Sequence, residues 1–191
     1  MKVLSVLGSP RKGGNSDYLA QETLKPLQEV GAQIKTHRLN DLSFRGCQAC
    51  MACKTKRETC ILEDDLNEVM EDFKEADVLI FASPVYYGDV SGQFKCFFDR
   101  TFEFLTPDYT TAENPSRLAE GKRCAFVLVQ GAPDPEQFED IFPRYTAFLD
   151  WYGVSEIHEV RACGVYAKDA IKEAKQALEE AQSIGRTLAA Q

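Results

Sequence analysis

Five short apolar runs alternate with five helix-length stretches along this chain, and that alternation limits its fold more than any other feature. The runs are Lys2–Leu7, Gln33–Leu39, Asp77–Ala82, Arg123–Val129 and Glu156–Cys163. Helices are predicted at about Asn15–Val30, Asp64–Glu75, Ser91–Leu105, Glu136–Trp151 and Lys168–Leu188. In the last of these Ile171, Ala174, Leu178, Ala181 and Ile184 share one face. Parallel strands need crossover connections, and crossover helices cover both faces of the sheet they connect. The expectation is a three-layer α/β sandwich around a five-stranded parallel sheet in the order 2-1-3-4-5. Pro26 should kink or end the first helix, because it lacks an N–H and clashes with the preceding turn.

A chain of 191 residues buries roughly 70% of its unfolded surface, enough for one sizeable core, so a single domain is expected. Two stretches interrupt the alternation and read as long loops: Gly46 to Glu63, within a cysteine-rich loop at about 44–63, and Thr106 to Gly121. Thirty acidic against 22 basic side chains give a formal charge of −8. With no basic stripe the chain is a poor partner for nucleic acid, whose binding rests on neutralising phosphates. The opening run is too short for a secretory core, and no apolar stretch approaches the ~20 residues that span a bilayer. A cytoplasmic protein without membrane contact is expected.

The first strand runs into Gly8-Ser9-Pro10-Arg11-Lys12-Gly13-Gly14-Asn15-Ser16, where a helix starts. Free N–H groups at a helix start, the Ser9 and Ser16 hydroxyls, the Asn15 amide and two cations suit an anion, and Gly14 lets backbone come close. Gly14-Asn15 stand where a triphosphate loop carries Lys and Ser/Thr, and no G-x-G-x-x-G follows the strand. A single phosphate monoester fits better, although a Gly-rich turn with an ordinary helix cap would read much the same.

The third strand ends in Ser83-Pro84-Val85-Tyr86-Tyr87-Gly88. Ligands of open α/β sheets bind beyond the carboxyl ends of strands where the order reverses, here between strands one and three. Both loops therefore border one crevice. Phosphate donors on one side and adjacent tyrosines on the other describe FMN, against the commoner fate of such aromatics as strand-end packing.

These segments, with Asp99-Arg100, resemble the NADPH-dependent FMN reductase family over most of the chain, to about Val129. The resemblance implies a flavodoxin-like fold and an oxidoreductase with NAD(P)H as a candidate substrate. It implies phosphate contacts from Ser9, Arg11, Asn15 and Ser16, and ring contacts from Pro84, Val85, Tyr86, Tyr87 and Gly88. Gln130-Gly131-Ala132 would border the ring's other side.

Cys47, Cys50, Cys53 and Cys60 form C-x2-C-x2-C-x6-C. Three thiolates in seven residues can wrap the corners of a [4Fe–4S] cube, with a fourth from the flanking loop. The arrangement is similar to that of the iron-sulfur flavoprotein branch of the same family, which implies electron transfer in dimers. Arg45, Lys54, Lys56 and Arg57 should favour thiolates. A zinc site is the rival reading, with sulfurs only about 3.8 Å apart around Zn–S bonds near 2.3 Å. Metal-free thiols are a third.

The function expected is therefore electron transfer between a small-molecule or protein donor or acceptor, a [4Fe–4S] cluster and FMN. An NAD(P)H-dependent FMN or quinone reductase without a cluster, and a non-enzymatic zinc or thiol-sensing module, are the alternatives. FMN carries the chemistry, so no catalytic acid or base is assigned. Phe94, Phe97, Phe98, Phe102 and Phe104 exceed what one sheet-facing stripe needs, which suggests a homodimer or dimer-based oligomer, or simply a well-covered core helix. Cys96, Cys124 and Cys163 read as small buried hydrophobes. His37 and His158 read as structural, and the Glu63-Asp64-Asp65 run as solvated, with Asp64 at a helix start.

Overall fold

The computed structural model describes residues 1–190. Strands β1 (Lys2–Leu7), β2 (Gln33–Arg38), β3 (Val78–Tyr86), β5 (Arg123–Val129) and β6 (Glu156–Ala162) form a parallel sheet in the order β2-β1-β3-β5-β6. This is the expected five-stranded order. The sixth strand, β4 (Asp89–Val90), folds back antiparallel on the end of β3, pairing Val85 with Val90 and Tyr86 with Asp89. The strand expected to stop at Ala82 therefore continues through Pro84. Past Ala82, β1 no longer flanks β3, so a residue without an N–H can sit there while β5 pairs on the other side.

Helices α1 (Asn15–Glu29) and α6 (Lys175–Ala189) cover one face of the sheet. α3 (Leu66–Glu75), α4 (Gly92–Arg100) and α5 (Ile141–Trp151) cover the other, and α2 (Ala52–Thr55) is a single turn within the cysteine loop. Ser5, Val3 and Leu7 alternate with Leu4 and Val6 along β1, and all five are buried because both faces are covered. None of the described helices is long and apolar enough to cross a membrane.

Pro26 does not end α1, which continues to Glu29. Leu24 and Leu27 on either side of it are buried, and α6 passes so closely that a Cβ on Gly185 would lie 2.3 Å from the Thr23 carbonyl oxygen and 3.1 Å from the Pro26 ring. Tertiary packing outweighs the missing hydrogen bond.

Of the lone cysteines only Cys124 is fully buried; Cys96 is exposed and Cys163 half-buried. Asp64 is not simply solvated either. It accepts the Leu66 N–H at 3.2 Å, as a helix-start residue should, and pairs at 2.8 Å with the buried Arg100 guanidinium. His37 and His158 each meet a carboxylate, Asp72 at 2.7 Å and Glu156 at 2.5 Å. The phenylalanine surplus is absorbed within the chain: Phe94, Phe97, Phe98 and Phe104 are buried, and Phe102 is half-buried. The large apolar groups left exposed near them are instead Phe148 and Trp151 on α5.

Candidate functional site

The two loops past β1 and β3 are locked together before any ligand is considered. The Gly8 N–H donates to the Ala82 carbonyl at 2.8 Å. Ser91 caps α4 by accepting the Phe94 N–H at 3.3 Å, and its hydroxyl donates back to the Gly8 carbonyl at 2.7 Å. A Cβ on Gly8 would come within 2.8 Å of the Phe94 Cβ, so the approach of the first loop to α4 requires glycine here.

Beyond Gly8 the chain turns on itself. Ser9 Oγ accepts the Arg11 N–H at 3.1 Å, and Gly13, at φ +65°, donates its N–H to Asp17 at 3.0 Å. Burial pushes the Asp17 carboxyl up, and the Arg38 guanidinium against it only partly offsets this. Helix α1 starts at Gly14 with no side-chain cap, so its first-turn N–H groups are available to an anion. At the same place the buried Ser16 hydroxyl and the Asn15 Oδ1 have no hydrogen-bond partner. The other end of the Asn15 amide is fixed by donation to the Ala167 carbonyl at 2.8 Å.

These groups form one end of a cleft of about 320 Å³, within the range of small-molecule sites. Ser9, Arg11, Gly14, Asn15 and Ser16 line that end; Pro84, Val85, Tyr86 and Gly131 line the other. Tyr87 and Gly88, expected beside them, lie off the cleft. Both have positive φ, +50° and +80°, and form the two-residue tip of the β3–β4 hairpin, which leaves Tyr87 fully exposed. Gly88 instead makes room for Phe138, whose ring would be 3.2 Å from a Cβ there.

Phe138, Val165 and Tyr166 also line the cleft and were not anticipated. Phe138 and Tyr166 come from segments following β5 and β6, so the rule that ligands sit beyond carboxyl ends of strands was the available signal. Phe138 adopts φ +70°, a strained value for a bulky residue. Its neighbour is tied down, because Arg161 donates to the Gln137 carbonyl at 2.7 Å and to Gln130 Oε1 at 2.6 Å.

All four cysteines of the loop line a second, small cavity of about 30 Å³. Ala49 and Met51 take left-handed backbone, φ +52° and +57°, so the chain reverses between successive thiols. The Ala49 N–H points at Cys47 Sγ, 3.4 Å away. Among the described residues no three cysteine sulfurs lie within 4.8 Å of one another; the only group that close is His37, Glu68 and Asp72. Sulfurs around one zinc would lie only about 3.8 Å apart, so the thiols are not gathered as a zinc tetrahedron. Arg100 lines the same cavity with its side chain fully buried and its Nε–H without an acceptor. A buried donor of this kind suits an acceptor carried by a ligand. The donor set therefore fits a four-thiolate cluster.

Of the flanking cations, Lys54 does less for its neighbouring thiol than expected. Burial pushes the Cys53 thiol up, and Lys54 offsets this only partly. Lys54 is itself buried and lowered by burial, with its ammonium donating to the carbonyls of Phe102 and Leu105, the latter at 2.7 Å. Its role toward the loop is anchorage.

Parallel sheet, flanking helices and a mononucleotide-sized cleft at the β1/β3 switch point define a flavodoxin-like protein. The model of the NADPH-dependent FMN reductase family matches residues 1–135, and the chain belongs to that family. It is 40% identical over 101 residues to an iron-sulfur flavoprotein of Methanocaldococcus jannaschii, covering 53% of this chain and 52% of that protein. The chain spans about half the length of the first iron-sulfur flavoproteins it matches. It is 27% identical over 181 residues to an FMN-dependent NADH:quinone oxidoreductase of Burkholderia pseudomallei, covering 89% and 91% of the two. The solved structure of an FMN-dependent NADH-azoreductase from Bacillus anthracis, in complex with FMN, superposes with a TM-score of 0.74 at 18% identity over 99% of this chain and 100% of that one. The last likeness shows the fold.

Proposed function

We propose that this chain is an FMN-dependent oxidoreductase that also holds a [4Fe–4S] cluster on Cys47, Cys50, Cys53 and Cys60, and that it passes electrons between an external donor or acceptor, the cluster and the flavin. The observation that carries the flavin reading is the buried, partnerless Ser16 hydroxyl at the capless start of α1, in a cleft whose far end is walled by Pro84, Tyr86 and Phe138. FMN, when bound, supplies hydride and single-electron chemistry. Ser9, Arg11, Asn15 and Ser16 would hold its phosphate, while Val85, Tyr86 and Gly131 would set the ring and limit water around it. Tyr87 at the hairpin tip is left to contact an incoming partner.

The cluster reading rests on four thiols around one cavity beside the acceptor-free Arg100 Nε–H. The names of the iron-sulfur flavoprotein relatives support it. NAD(P)H is the proposed small-molecule donor, and a reducing, cytoplasmic compartment suits seven free cysteines. We further propose a homodimer. A groove of about 800 Å³, walled in part by Phe148 and Trp151, opens beside the cysteine loop and is the surface a second copy would cover. A hydrodynamic mass at the monomer value removes that element.

Purification without oxygen tests the whole reading. Expected are a brown protein with flavin released on denaturation, and about four iron and four acid-labile sulfide per chain. Flavin without iron or sulfide leaves a cluster-free NAD(P)H-dependent FMN or quinone reductase. Colourless protein with stoichiometric zinc leaves a zinc or thiol-sensing module and removes the proposal.

A further inference from the structure

The segment from Thr106 to Gly121 has a use that its composition does not suggest. Leu105 bridges to Ser116, and the Thr106 N–H donates to the Pro115 carbonyl at 2.8 Å, closing the excursion into a loop. Its returning limb is fixed to the core: Ser116 Oγ donates to the Tyr152 carbonyl at 3.0 Å, Leu118 is buried, and the Arg117 N–H donates to the Phe104 carbonyl at 2.7 Å. The residue so presented to the cysteine loop is Arg117. One of its guanidinium nitrogens shares its two N–H groups among three carbonyls, those of Cys53 at 3.1 Å, Glu58 at 3.0 Å and Glu103 at 2.6 Å.

Those acceptors are placed tellingly. Cys53 and Glu58 lie on the stretch that joins the third thiol to the fourth, and Glu103 holds the fourth, since its carboxylate accepts the Cys60 N–H at 2.8 Å. Cys47 and Cys50 have no such support from Arg117.

We propose that Arg117 is the positioning residue of the thiol site, fixing Cys53 and Cys60 relative to each other through the backbone before any metal arrives. This rests on the cluster reading for its biological purpose, but the geometry it concerns belongs to the iron-free chain. All three carbonyls converge on one nitrogen at the end of a rigid planar group, and a lysine ammonium ends one bond short of that position on a flexible four-carbon stem, so it cannot reach all three. Partners that orient ligands without touching the metal typically change metal affinity about ten- to a hundredfold.

The test uses the full, FMN-loaded chain as wild type, Arg117→Ala and Arg117→Lys. The first readout is the alkylation rate of each cysteine in iron-free protein, resolved by mass spectrometry. Cys53 and Cys60 should react faster in both variants, with Cys47 and Cys50 unchanged. The second readout is iron and sulfide retained after anaerobic reconstitution and exposure to a chelator, expected to fall about tenfold while FMN content stays the same. Should Arg117→Ala lose FMN and helical signal together, Arg117→Lys decides the matter, because it keeps the charge and most of the packing. Unchanged alkylation at Cys53 and Cys60, or wild-type iron retention in Arg117→Lys, overturns the proposal. If wild type takes up no iron and yet the alkylation contrast holds, Arg117 keeps its role and the cluster reading alone falls.

Discussion

At the scale of single residues, the two proposed sites are marked by polar atoms that the chain itself leaves unsatisfied. A buried hydroxyl without a partner costs about 1–3 kcal/mol, and Ser16 carries one at 2% exposure. If that hydroxyl serves a phosphate, Ser16→Ala should act with opposite signs on two measurements. The flavin-free protein should be no less stable in urea, while FMN affinity, read by flavin fluorescence, should fall about tenfold, or ~1.4 kcal/mol. A parallel loss in both would mean that the hydroxyl serves the fold. The candidate residues of the loop after β1 were legible because glycines, hydroxyls and a helix start carry their chemistry in the sequence. Phe138 and Tyr166 were not, because an aromatic past a strand end reads as packing until the sheet order places it. Tyr87 misled for the converse reason: it shares its type with Tyr86, and only the left-handed turn at 87 and 88 sends it into water.

Among the elements, strands were read more accurately than helix ends or loops. β1 and β5 have the expected bounds because their apolar runs end at glycine- or charge-rich turns. The helix expected from Ser91 to Leu105 stops at Arg100 and tightens into a 3-10 turn over Thr101–Phe104, which turns its carbonyls toward Lys54 and Arg117. No local pattern announces that. The continuity of α1 through Pro26 is likewise a property of the α1–α6 contact, which Gly185 permits. Gly185→Ala gains up to about 1 kcal/mol of helix propensity and loses more, since the new methyl would sit 2.3 Å from a backbone oxygen that cannot step aside. We expect a net loss of about 2 kcal/mol in urea unfolding, with FMN affinity unchanged because the contact lies away from the cleft. A stability at or above wild type would show that α6 can slide on α1.

For the whole molecule, the sheet order and the convergence of two loops at one end were legible, because crossover rules leave few ways to arrange five parallel strands. What the order did not reveal is how buried charge is spread over the finished structure, and this sets its response to pH. Asp64 and Asp72 tie the second layer together. Burial would raise both carboxyls, but Arg100 and the backbone N–H groups of Arg45 and Leu66 act on Asp64, and Lys35 and His37 on Asp72, leaving both below their ordinary 3.8. A carboxyl lowered in the folded state contributes stability that is present above its unfolded value and is lost as pH falls through the folded one. Asp17 and Glu159 run the other way, raised chiefly by burial. Their contribution is complete below their unfolded values and is lost as pH rises through the raised folded ones. The two sets divide the acid range between them. Urea midpoints of flavin-free protein should rise as pH is lowered through the raised folded values of Asp17 and Glu159 toward the ordinary carboxyl range, then fall below about pH 3.8 as Asp64 and Asp72 take up protons. Asp17→Asn should flatten the upper limb and leave the lower one, whereas Asp72→Asn should weaken the lower limb and leave the upper. A midpoint that declines steadily from neutrality, with Asp17→Asn indistinguishable from wild type, would mean that the Arg38 guanidinium holds Asp17 ionised after all.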